Sequence, residues 1–154
     1  MSEAPLSSQE VSDRLRIQDL LTLYATAIDS RDWALLDRVF LPDSEIDYTT
    51  SGGIRGLYPE VRAWLERALG QFAMSQHLIA NSAVDLQGDR ARARTMFYNP
   101  MGTRRKDASL HLFFIGGYYE DELVRTPAGW RIARRVEQQS WLHGELPPGL
   151  VIPG

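Results

Sequence analysis

The sequence predicts an α+β fold in which helices pack on the concave face of a curved, mostly antiparallel sheet. Helical spacing of apolar residues dominates the first half, and strand-like alternation dominates from Met74 onward. Short turn-forming runs then join the strand candidates as a meander. Helices first and an antiparallel run last fit this class, whereas a parallel sheet would alternate helix with strand.

Ser7 or Ser8 can cap a first helix whose apolar positions Val11, Leu15, Ile17, Leu21, Tyr24, Ala25 and Ile28 recur every three to four residues. Asp29-Ser30-Arg31-Asp32 interrupts that pattern. Asp32 is placed to cap a short second helix carrying Trp33, Leu35, Leu36, Val39 and Phe40, which Leu41-Pro42-Asp43 ends. Residues 45–49 alternate as a short strand with Ile46 and Tyr48 on one face, and Ser51-Gly52-Gly53 reads as a turn. A third helix follows over residues 58–72, with Pro59 tolerated in its first turn.

Four strands are expected at about 74–87, 90–99, 109–125 and 129–140, the second and third joined by a loop over 100–108. In 90–99, Arg92 and Arg94 face solvent, which turns Ala91, Ala93, Thr95, Phe97 and Asn99 inward and leaves room for a cavity beside small side chains. In 74–87, His77, Ile79 and Asn81 share a face, but alternation does not say whether that face is the inner one. A single domain over 1–154 with an irregular tail at 144–154 accounts for the whole pattern.

A chain of 154 residues can build a core around a small-molecule cavity. The net charge of -3 gives no broad attraction to phosphate backbones or anionic lipid, so a small-molecule substrate is expected rather than nucleic acid or membrane. The basic residues are sixteen arginines and Lys106, which sits in the turn-like run Arg104-Arg105-Lys106-Asp107, and the arginine excess suggests a GC-rich bacterial genome. No cysteine is present, which excludes disulfides and thiol nucleophiles and fits a cytoplasmic protein. No window reaches the roughly 18 apolar residues of a membrane span.

His111 and His143 lack metal-ligand spacing, and Glu120-Asp121-Glu122 reads as a solvated hairpin edge. Gly52-Gly53 and Gly116-Gly117 lack the spacing of a phosphate cradle, and the second pair suits a bend in a strand. Neither a metal nor a cofactor is therefore expected. Asp29, where the first helix runs out, and His77, the only histidine inside an otherwise apolar strand, are the strongest candidates for chemistry. A carboxylate that fixes the tautomer of an imidazole makes a general base for work near neutral pH.

The order of elements, with Tyr24-x-x-Ala27-x-Asp29-x-x-Asp32-Trp33, Asp47-Tyr48, Gly53-x-x-Gly56, Ser75-x-His77-x-Ile79-x-Asn81, Gly88-Asp89-x-Ala91, Gly117-x-Tyr119-x-Asp121 and Gly129-Trp130-Arg131-Ile132, resembles the SnoaL-like branch of the nuclear-transport-factor-2-like superfamily. The resemblance implies a cone: a strongly bent mixed or antiparallel sheet wrapped around the long first helix, with a deep central pocket. It implies a His77–Asp29 pair as base, with Tyr24 and Tyr48 as pocket tyrosines; Asn81, Phe97, Asn99, Tyr119 and Arg134 are further expected to line the pocket as substrate-binding residues.

Scytalone dehydratase and bile-acid dehydratase in that superfamily carry a second titrating residue on the strand matching 90–99. Here Thr95, Phe97 and Asn99 stand there, which leaves His77 as sole base. The activity implied is a cofactor-independent dehydratase acting on a small cyclic apolar hydroxy-carbonyl compound of the polyketide or steroid type. A proton-transfer isomerase and a non-catalytic ligand-binding or assembly subunit remain as alternatives. The resemblance also implies a homo-oligomer, a trimer before a dimer.

Overall fold

The computed structural model describes residues 5–150. Helix α1 spans Ser8–Ser30 and opens with a reciprocal cap: the Glu10 amide donates to Ser7 Oγ, while the Ser7 amide donates to Glu10 Oε2. It closes at Arg31, whose left-handed backbone, φ 59°, turns its amide back to the Ala27 and Ile28 carbonyls. The buried stripe is Ile17, Leu20, Leu21, Tyr24, Ala27 and Ile28. Val11 and Leu15 are exposed, contrary to the sequence reading. Asp13 takes the inward slot between them, where Arg125 forks onto its carboxylate at 2.6 Å twice and Trp130 Nε1 donates at 3.0 Å.

Helix α2 is the single turn Trp33–Leu36, and the Asp32 side chain makes no capping bond. Phe40 begins strand β1, Phe40–Asp47, and Leu41-Pro42-Asp43 lies inside that strand rather than ending a helix. Pairing with the last strand decides this, since Phe40 lies opposite Ile132 and the Ile132 amide donates to the Val39 carbonyl. After a 3-10 turn at Thr49–Ser51 comes β2, Arg55–Leu57, too short for alternation to announce it. Helix α3, Tyr58–Leu69, stops three residues before the expected end.

Strand 74–87 is broken into β3, Met74–Ser75, and β4, Leu78–Gln87. Strands β5, Arg90–Arg104, β6, Leu110–Thr126, and β7, Gly129–His143, all outrun their predicted ends. Pro100 is accommodated inside β5 opposite the break between β3 and β4. The sheet order is β2-β1-β7-β6-β5-β3, with β4 also on β5. Only β1 and β7 run parallel.

The result is a mixed sheet curled into a half-barrel around α1. At Gly116-Gly117 the ladder with β7 shifts register; a side chain on the first would meet the Trp141 indole and one on the second the Gln138 carbonyl. Asp121 does not belong to a solvated edge: it is buried on the central strand β6 and takes two 2.7 Å hydrogen bonds from the buried Arg135. Residues 144–150 are irregular, and the rest of the expected tail lies outside the described residues. No helix among the described residues is long and apolar enough to cross a membrane.

Candidate active site

A cavity of about 320 Å³ opens between α1, α3 and the concave face of the sheet, within the size range of small-molecule sites. Its walls are mainly apolar, with Trp64, Leu65 and Leu69 from α3 and Met101, Phe113 and Ile115 from the sheet. The polar groups that reach it are few: Tyr24, Tyr48, His77, Asn99, Glu137 and Gln139, with the turn at Thr50–Gly52 near its rim.

The last turn of α1 puts Asp29 beside the break between β3 and β4. There it is held by three donors: the His77 amide at 2.6 Å, His77 Nδ1 at 2.7 Å and Ser75 Oγ at 3.1 Å. The break is what makes this possible, because the Gln76 amide still donates to the Pro100 carbonyl of β5 while the His77 amide is freed for a side-chain acceptor. Arg31 adds a positive charge through its 2.8 Å bond to Ser75 Oγ, offsetting the unfavourable place of a carboxylate at a helix C-terminus. Burial tends to raise the Asp29 carboxyl, but the hydrogen bond from His77, and the charge of that ring once acid protonates it, outweigh burial and hold the group below its ordinary value.

With Nδ1 donating to Asp29, His77 Nε2 carries the lone pair, and it accepts from the Asn99 amide at 3.1 Å. The imidazole side chain is 6% exposed against 25% for Asp29, so the base is screened from bulk water while its partner lies nearer the surface. Asn99 Oδ1 is buried and has no hydrogen-bond partner.

Across the floor, the Tyr24 and Tyr48 hydroxyls lie 3.0 Å apart, and the Tyr24 ring meets the His77 ring edge-on at 6.1 Å. The Arg135 guanidinium lies 4.1 Å from the Tyr24 ring centre and 4.2 Å from that of Tyr119, fixed there by Asp121. Burial pushes all three phenols up despite this charge, so they persist as neutral donors.

The structure thus brings Asp29, His77, Tyr24, Tyr48 and Asn99 together. Tyr119 and Phe97 are buried one layer behind the cavity, stacked at 4.5 Å, rather than lining it. Asn81 is exposed outside it, and Arg134 turns to the convex surface beside Glu122, 3.9 Å away. Both corrections have one cause. The β4–β5 register slips between Ile79 and Ser82, and the β6–β7 register slips between Ile132 and Arg134, and each slip reverses which side chains face inward.

Past the second slip, the inward positions are Arg135 and Glu137, which alternation counted from Ile132 misses. No signal in the strand itself separates Arg134 from Arg135. Glu137 accepts a short hydrogen bond from Ser51 Oγ, and its carboxyl is raised, mainly by burial, against the lowering effects of Ser51, His77 and Arg135. Among the described residues, no group of three or more histidines and acids is placed to hold a metal ion.

The chain matches the model of the SnoaL-like domain over residues 9–136. It is 46% identical over 140 residues to the uncharacterized protein Rv2910c of Mycobacterium tuberculosis, covering 89% of this chain and 92% of that one. A candidate scytalone dehydratase of Novosphingobium aromaticivorans superposes with a TM-score of 0.80 at 15% identity, over 92% of this chain and 93% of the other. The hexachlorocyclohexane dehydrochlorinase LinA-type3 of Novosphingobium barchaimii superposes with a TM-score of 0.72 at 17% identity, over 90% of this chain and 97% of the other. With its curled sheet, its central helix and this match along most of its length, the chain belongs to the SnoaL-like domain family.

Proposed function

We propose that the protein is a cofactor-independent lyase, a dehydratase in which His77, oriented by Asp29, removes a proton next to a carbonyl and a neighbouring hydroxyl departs. The observation that carries this reading is the 2.7 Å bond from His77 Nδ1 to Asp29, which leaves the Nε2 lone pair at the cavity. The Tyr24–Tyr48 pair is then the donor to the oxygen on which negative charge develops, in surroundings where little water competes.

Asn99 serves both protonation states of the base. Its amide N–H bonds the neutral Nε2, and a turn of the amide would let the unpartnered Oδ1 accept from the protonated ring. Among the described residues no lysine or arginine lines the cavity, which favours an uncharged, compact, mostly apolar hydroxy-carbonyl compound over a carboxylate or phosphate ester. A dehydratase-type and a dehydrochlorinase neighbour on the same fold accord with elimination chemistry. The same base and phenols also suit proton shuttling without loss of water, an isomerase.

Mass spectrometry of turned-over cyclic hydroxy-ketones separates the two readings. Loss of water is expected; conversion without mass change would replace the lyase by the isomerase. His77→Ala is expected to lower turnover about 1,000-fold, and intact turnover in that variant would remove the mechanism. We also read the chain as a cytoplasmic homo-oligomer, preferably a trimer, on its lack of cysteine and its exposed apolar row of Leu78, Tyr98 and Trp141 on the convex face.

A further inference from the structure

The cavity holds a second titratable side chain that the base mechanism does not use. Glu137 lies on β7 opposite Tyr119 and enters the cavity that His77 enters from the β3–β4 break. Its surroundings do not neutralise it. The guanidinium whose charge reaches it, that of Arg135, is committed through two of its nitrogens to Asp121, and among the described residues no arginine or lysine lines the space. The remaining titratable groups whose charge it feels or perturbs are His77, Tyr24, Tyr48 and Tyr119. A mainly apolar cavity whose nearest guanidinium is already paired to Asp121 favours the protonated carboxylic acid, and the carboxyl, raised by burial against the lowering effects of His77 and Arg135, agrees with that geometry.

Resting on the elimination reading above, we propose that Glu137, as the neutral acid, donates its proton to the departing oxygen while His77 removes the neighbouring carbon-bound proton. In that step the C–H bond breaks towards Nε2, its electron pair forms the C=C bond, and the C–O bond breaks as its oxygen takes the Glu137 proton and leaves as water. His77 ends protonated and Glu137 ionised. A proton passing from one to the other through entering water restores both, so no co-reactant is needed. Two groups on separate walls divide the work, which a single imidazole would otherwise do by returning its own proton. Ser51 Oγ, donating to Oε1, fixes which carboxyl oxygen is turned to the substrate.

A purely structural role for Glu137 would be to clamp the turn at Thr49–Ser51 onto β7. That clamp has an independent part, since Thr50 Oγ1 donates to the Glu137 backbone carbonyl at 2.8 Å and receives the Gln139 amide at 3.0 Å. Glu137→Gln keeps both of these bonds and still offers Ser51 an acceptor, while removing the transferable proton.

The test compares wild type, Glu137→Gln and His77→Ala on β-hydroxycyclohexanone and on its O-acetyl ester, whose acetate leaves without being protonated. Glu137→Gln is expected to lose water elimination by about 100-fold or more and acetate elimination by less than about fivefold, with His77→Ala losing both. Equal losses on the two probes in Glu137→Gln would show a structural part only, and unimpaired water loss would remove Glu137 from the reaction; either overturns the proposal. Difference infrared spectra of wild type against Glu137→Gln give a readout that needs no turnover. A protonated-carboxyl band at neutral pH, absent from the variant, is expected, and a carboxylate band in its place overturns the proposal. Failure of the wild type on both probes with that band present would count against the elimination reading for these compounds, while the acid itself stands.

Discussion

Asp29 is a carboxylate that its neighbours have fixed in place. The His77 amide, the His77 ring and Ser75 Oγ converge on its two oxygens, and each bond favours the ionised form. Because the group is held below its ordinary value, it stays charged down through the acid range in which a free carboxyl would already be protonated. Asp29→Asn keeps the shape but removes the charge that supports protonation of the imidazole. We expect a folded protein with turnover reduced about 100-fold, checked by steady-state rates beside a circular-dichroism melt; full activity would mean that the carboxylate only positions the loop.

Glu137 has the opposite sign. Its native carboxyl lies above the ordinary value, so folding disfavours its ionisation, and stability is lost as pH rises from the ordinary carboxylate range through the raised native value. Glu137→Gln is therefore expected to be more stable than wild type at neutral pH, with the gain vanishing in acid. Denaturant titrations at several pH values read this directly, and a gain independent of pH would contradict it.

At the scale of elements, position along a strand was legible and parity only as far as the first irregularity. The inward set Ala91, Ala93, Thr95, Phe97 and Asn99 holds because β5 meets β6 without a slip along its length. Asn81 and Arg134 were misplaced because one extra residue in β4 and one in β7 reverse the faces, and a bulge has no composition of its own. In α1 the hydrophobic pattern suggested Val11 and Leu15, yet Asp13 is the buried side chain of that first stretch. Its partners Arg125 and Trp130 are over a hundred residues away, so nothing local advertises them.

The Asp13 contact ties the start of α1 to the β6–β7 hairpin. Hydrogen bonds from Arg125 outweigh the effect of burial and hold Asp13 well below the usual carboxylate range. Its stabilisation is fully present above the ordinary carboxyl value and fades as pH falls below it. Asp13→Asn should cost about 3 kcal/mol at neutral pH by leaving Arg125 and Trp130 without the charge they were built around. Chemical denaturation would measure this, and a cost below about 0.5 kcal/mol would show the cluster to be a surface pair in effect.

At the scale of the whole molecule, element order and family resemblance together specified a bent sheet around a long helix, whereas the composition of the cavity floor emerged only on folding. The floor takes Tyr24 from α1, Tyr48 from just after β1, Asn99 from β5 and Glu137 from β7. The convex face carries the exposed Tyr98 and Trp141 packed together, with the half-buried Phe114 stacked on Tyr98. If that face joins subunits, sedimentation should find a trimer and Trp141→Glu should release monomers; a wild type that sediments as a monomer at micromolar concentration would contradict this assembly.

Folding brings Asp29 and His77, 48 residues apart, into one base that faces the cavity. Nitrogen-15 chemical shifts of the His77 ring test it most directly. The ring is expected to be protonated on Nδ1 alone, with a strongly deshielded Nδ1 proton that disappears in Asp29→Asn. A ring protonated on Nε2, or one whose signals ignore that substitution, would contradict it.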